Sequence, residues 1–118
     1  MADDVYALRG QFVVEFGVRQ AWPFLTFCDN AKTPPDETRL YIDTIFRVGS
    51  GPTLFTAGDP DPAVEVLADL NSRTVTNVAL GEGNELTITF DDGQQVLRVS
   101  SEASAFTTGE IWWLGHPQ

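Results

Sequence analysis

Cys28 and His116 are the chain's only cysteine and only histidine, so they form the one thiol–imidazole pair that could make a nucleophile. That chemistry requires the fold to bring residue 28 to a histidine held between Gly115 and Pro117. A buried apolar cysteine and a solvated histidine are the plainer reading. Carboxylates cluster at Asp3-Asp4, Asp59 with Asp61, and Asp91-Asp92, but none sits in an Asp-x-Asp-x-Asp-Gly loop with a distal glutamate. Turn geometry and a helix N-terminus explain the last two clusters. Acid–base catalysis would instead need a carboxylate such as Asp43 or Glu110 inside an apolar pocket, where desolvation raises its pKa. Gly49-Ser50-Gly51-Pro52 has no P-loop lysine and no helix close behind it. Gly81-Glu82-Gly83 carries an acid where a phosphate would lie, so both segments read as turns. These residues imply no catalytic group, metal or cofactor.

Glu110-Ile111-Trp112-Trp113-Leu114-Gly115 carries more information. In a strand, Trp112 and Leu114 face one way and Ile111 and Trp113 the other, so both faces are apolar. Either the strand is covered on both sides or an indole is offered to a partner, and the need to satisfy its N–H favours partial exposure. Trp112 and Trp113, with Phe46 and Arg47 on the matching strand and Tyr41 nearby, are the expected interaction surface. In the alternative reading, Trp22, Phe24, Trp112 and Trp113 line the mouth of a pocket for a small apolar ligand.

The elements that must position these side chains are mostly strands. Phe12, Val14, Phe16 and Val18 alternate with Glu15 and Arg19 in a half-buried strand, and Trp22–Cys28 forms a second. A loop over 29–37 contains Lys32, Pro34 and Pro35. A longer strand then runs from about Thr38 to Val48, stopped by the glycine cluster. Helical spacing occurs once, over about 61–70, with Asp61 as cap and Pro62 in the first turn. Further strands follow near Thr74–Leu80, Glu85–Asp91, Gln95–Val99 and Glu110–Leu114, and Asp92-Gly93 marks a tight hairpin.

The halves resemble each other. Leu8-Arg9-Gly10-Gln11-Phe12-Val13 aligns with Leu70-Asn71-Ser72-Arg73-Thr74-Val75, and Leu25–Asp29 aligns with Ile88–Asp92 after a one-residue slip. Ile45-Phe46-Arg47-Val48-Gly49 matches Ile111-Trp112-Trp113-Leu114-Gly115. The expected architecture is therefore mainly β, a single domain over 1–118. Two antiparallel meanders, 8–49 and 70–115, are joined by a loop and short helix at 50–70 and form one small sandwich or barrel. The pattern Leu70-x-x-x-Thr74-Val75-x-x-Val78, then Leu86-x-Ile88-x-Phe90-x-Asp92-Gly93 and a Trp-rich strand, resembles an uncharacterised family of small, mostly actinobacterial proteins. That resemblance implies an all-β fold with one linking helix, and no activity or site residues. The first copy departs from the pattern, having Asp29-Asn30 and the proline loop in place of Asp-Gly.

In 118 residues, 17 acids stand against 7 bases, for a net charge of -10. Nine of the acids and only two of the bases lie after residue 59. Such a chain repels phosphate backbones and anionic lipid, so nucleic acid and membrane surfaces are not expected partners. A single cysteine, an acidic start and no long apolar run fit a cytoplasmic protein. The functional expectation is a non-catalytic domain that self-associates or binds a protein, with an immunity-type inhibitor of a basic toxin as one form.

Overall fold

Alternating apolar residues leave backbone groups that only neighbouring strands can satisfy. In the computed structural model, which describes residues 5–29, 36–51, 53–56, 58–102 and 110–115, eight strands do so. They are β1 (Phe12–Arg19), β2 (Trp22–Asp29), β3 (Asp36–Ile42), β4 (Phe46–Val48), β5 (Val75–Leu80), β6 (Leu86–Phe90), β7 (Gln95–Val99) and β8 (Trp112–Gly115). One helix, α1 (Pro60–Leu67), runs into a 3-10 turn at Ala68–Leu70. The strands form two antiparallel four-stranded sheets, sheet A in the order β1-β2-β3-β8 and sheet B in the order β4-β7-β6-β5. Their inner faces share one core, in which Phe27, Leu40 and Ile42 of sheet A meet Phe46, Ile88 and Leu97 of sheet B, and no barrel closes.

The expected meanders are present as β1-β2-β3 and β5-β6-β7, but the fourth strands are exchanged. Strand β4 leaves the first half to pair with β7, and β8 leaves the second half to pair with β3. The two crossings are anchored alike: the Asp43 amide donates to the Ile111 carbonyl at 2.8 Å, and the Ser100 amide donates to the Ile45 carbonyl at 2.9 Å. Where β1 meets β5, Gly10 donates to Val75 and Ser72 to Val13, each at 2.8 Å. These are the same bond with the halves interchanged under the alignment read from sequence. Both halves also break register at the same place, between Val13 and Glu15 and between Val75 and Asn77. The molecule is thus pseudo-two-fold down to single hydrogen bonds.

Several expectations need correction. The bulge turns Val13 into the core and leaves Val14 outside, so β1 does not alternate regularly from Phe12 to Val18. The strand expected over 38–48 is two strands, because Asp43, Thr44 and Ile45 carry the chain from one sheet to the other. Asp43 and Thr44 are buried on the way, with the Thr44 hydroxyl donating to the Glu102 carbonyl. The 92–93 hairpin exists, but Phe90 pairs with Gln95 across a four-residue turn. In that turn Asp91, Asp92 and Gly93 all take positive φ. The helix begins at Pro60, with Asp59 at the cap position making no side-chain cap bond and Asp61 in the first turn. Ala63 and Leu67 enter the shared core. The loop expected over 29–37 is shorter, since Asp29 ends β2 and Asp36 and Glu37 begin β3; its residues 30–35 and the N-terminal acid pair lie outside the described residues.

Phe46 and Trp112 occupy equivalent inward positions on the two exchanged strands. Phe46→Ala and Trp112→Ala should each cost about 3–5 kcal/mol in urea unfolding. Unfolding should stay a single transition, since neither sheet is complete without the other half; two separate transitions would contradict the exchange.

Candidate functional site

The outer face of sheet A is built by period-two geometry. Phe24, Tyr41 and Trp113 stand directly opposite one another on β2, β3 and β8, and Trp22 lies one outward step from Phe24. Trp113 stacks on Tyr41 at 5.3 Å between ring centroids and 17° between planes, and Trp22 meets Trp113 edge-on at 5.1 Å. Phe24 tilts against Tyr41 at 6.0 Å. Trp22, Tyr41 and Trp113 are half-buried, whereas Phe24 is buried.

Phe24 is covered from two sides. Gly17, opposite it on β1, leaves room for the ring, since a Cβ there would come within 3.1 Å of it. The Arg39 guanidinium lies 4.2 Å from the ring centre. Arg39 is held by Glu15 Oε1 at 2.9 Å, Thr26 Oγ1 at 3.2 Å and the Tyr41 hydroxyl at 3.3 Å, and Thr26 in turn donates to Glu15 at 3.0 Å. Burial works against the charge on Arg39, but its hydrogen bonds to Tyr41 and Glu15 prevail and raise its pKa above the ordinary arginine value. The result is an ordered aromatic surface with a fixed cation at one side.

The sequence-selected residues divide between places. Tyr41 and Trp113 belong to this face. Trp112 turns inward at 8% exposure, and its indole N–H donates to the Asn84 carbonyl at 2.7 Å, so the polar atom thought to favour exposure is satisfied inside. Phe46 is 1% exposed and packs on Phe55 in the core, so neither it nor Trp112 offers a surface. Arg47 is exposed, but on sheet B. Trp22, Phe24 and Trp113 come together, but Trp112 is on the opposite side of the sheet, so the four do not line one cavity. Asp43 is buried and Glu110 exposed. His116 lies outside the described residues. Arg39, Glu15 and Thr26 were missed because their grouping depends on cross-strand register, which a single sequence does not reveal.

The pseudo-symmetry supplies an internal control for this face. Trp22, Phe24, Tyr41 and Trp113 correspond to Glu85, Thr87, Arg98 and Arg47 in the paired registers of sheet B. The same backbone frame therefore forms without aromatic residues at these positions. Compared with known protein families, curated proteins and solved structures, the chain matches none. Among the described residues, no helix is long and apolar enough to cross a membrane, and no group of three or more His, Cys, Asp or Glu side chains could hold a metal ion.

Cys28 lies on the same face, opposite Glu37. Burial first, and then the charges of Glu37 and Asp29, push its thiol pKa up. Alkylation should therefore be slow at neutral pH and speed up only above the ordinary thiol range, which timed iodoacetamide labelling would measure. Stability has the matching sign. Below that range the thiol is protonated in both folded and unfolded states, and as pH rises the unfolded chain ionises first, so the fold loses stability. Gly17→Val should press on Phe24 and cost about 1–3 kcal/mol, read from the thermal midpoint.

Proposed function

We propose that this chain is a non-catalytic interaction domain that docks a basic protein on the aromatic outer face of sheet A. The observation that carries the reading is the contrast between equivalent positions. Sheet B folds with Glu85, Thr87, Arg98 and Arg47 where sheet A has Trp22, Phe24, Tyr41 and Trp113. Folding alone does not call for the aromatic set, and half-buried tryptophan and tyrosine are the side chains that anchor protein interfaces.

Charge supports a basic partner over a second copy. Two molecules at -10 repel each other, whereas a cationic protein is steered toward either. Arginine or lysine from such a partner fits over the exposed parts of the Tyr41–Trp113 stack as a cation–π contact, and Glu15 lies at the margin of the same face. An inhibitor of a basic toxin would work this way by covering the toxin's cationic surface.

The test is a titration with an arginine-rich peptide, comparing the parent chain with Trp113→Arg, the residue that the other half carries at the equivalent position. Binding, followed by indole fluorescence, should weaken with salt and fall about tenfold in the variant, while the thermal midpoint stays near that of the parent. Equal affinity in a folded Trp113→Arg chain would refute docking on this face.

A further inference from the structure

On the outer face of sheet B, Arg47 of β4 stands directly across from Arg98 of β7. Like charges in direct cross-strand register destabilise a sheet, so this arrangement needs a reason in a chain with 17 acids available. Three of the other described arginines show the alternative: Arg39 pairs with Glu15, Arg73 pairs with Asp69 and Asp91, and Arg9 donates to the Thr76 carbonyl. Arg19 is exposed at the end of β1 without an ion pair among the described residues, but it stands across from Trp22 and not from a second cation. Among the described residues, no carboxylate pairs with Arg47 or Arg98, and both side chains are exposed.

Two clefts flank the pair and differ in character. One, of about 170 Å³, is bordered by Leu54, Ser100, Glu85 and Glu102. The other, of about 160 Å³, is lined among the described residues by the two arginines and Gly49, Ser50 and Gly51, and none of these is an acid. Gly49 turns the chain with φ +81° and uses its own amide on the Val96 carbonyl at 2.8 Å, which fixes the loop against the sheet. The Ser50 hydroxyl and the Ser50 and Gly51 amides bond no other described residue and remain as donors.

We propose that this second cleft binds a phosphate group, with Arg47 and Arg98 as its two cationic forks and the Gly49–Gly51 loop as its neutral donors. A phosphate carries close to two negative charges at neutral pH and has enough acceptor oxygens for both guanidinium groups, whereas a single carboxylate matches only half of that charge. The glycine loop supplies no cation of its own. The charge comes instead from two arginines far apart in sequence, brought together by the strand exchange. Glu85 and Glu102 border the first cleft, which both arginines also line, so their charge repels an anion from it and favours the second; an attached organic group reaching the first cleft would meet them as hydrogen-bond acceptors.

The experiment is an NMR titration of the full chain with inorganic phosphate, following the arginine Nε–H signals against sodium chloride at equal ionic strength. Saturable shifts at Arg47 and Arg98 that chloride does not reproduce, and that vanish in Arg47→Gln and Arg98→Gln, are the expected result. Both substitutions are at exposed positions, and the amide spectrum of each variant confirms its fold. Shifts that chloride reproduces, that persist in both variants, or that are absent altogether overturn the proposal. A parallel titration with glycerol phosphate distinguishes the sources. Binding tighter than that of inorganic phosphate, and reduced in Glu102→Ala, identifies a phosphoester, whereas equal affinity identifies free phosphate; either supports the site.

Discussion

The two backbone bonds from Asp43 to Ile111 and from Ser100 to Ile45 fix where the chain passes between sheets, and the rest of the architecture depends on those crossings. Each sheet takes three strands from one half and one from the other. Phe46 and Trp112 therefore seal a core belonging equally to both halves. A residue change at either crossing acts on both sheets, because the strand that leaves one is the strand that completes the other.

Exchange also creates the two outer faces. Trp113 reaches Tyr41 only because β8 joins sheet A, and Arg47 reaches Arg98 only because β4 joins sheet B. Equivalent backbone positions have thus become an aromatic stack on one side and a cationic pair on the other. The scaffold is common to both, and the surface chemistry is specific to each.

Much of the scaffold was legible in the sequence. The alignment of Leu8–Val13 with Leu70–Val75 marks the hydrogen bonds that join β1 to β5, and the one-residue slip at Leu25 and Ile88 marks the longer turn of the second half, where Leu80 pairs with Leu86 while Val18 pairs with Pro23. Opposed faces for Trp112 and Trp113 follow from strand periodicity and are found. The break at Asp43–Ile45 was not legible, because no glycine or proline interrupts the run and the cause is a tertiary choice of sheet. The same choice separated Phe46 and Arg47 from the Trp113 face. Asn84 could not be foreseen as the acceptor for Trp112, since that bond spans 28 residues and depends on the turn before β6.

The exchanged strands also set an order of events during synthesis. Strand β3 is made early, yet the neighbour on its free edge is β8, the last strand of the described chain. Until β8 emerges, the β3 edge of the growing chain has open donors and acceptors that other chains could engage. Most pairings that close the molecule join distant residues, so the loop-closure entropy must be met before their contacts repay it. Folding thus cannot finish until β8 has emerged, and the nascent first half depends on its acidic residues, or on a chaperone, to stay apart from its neighbours on the polysome.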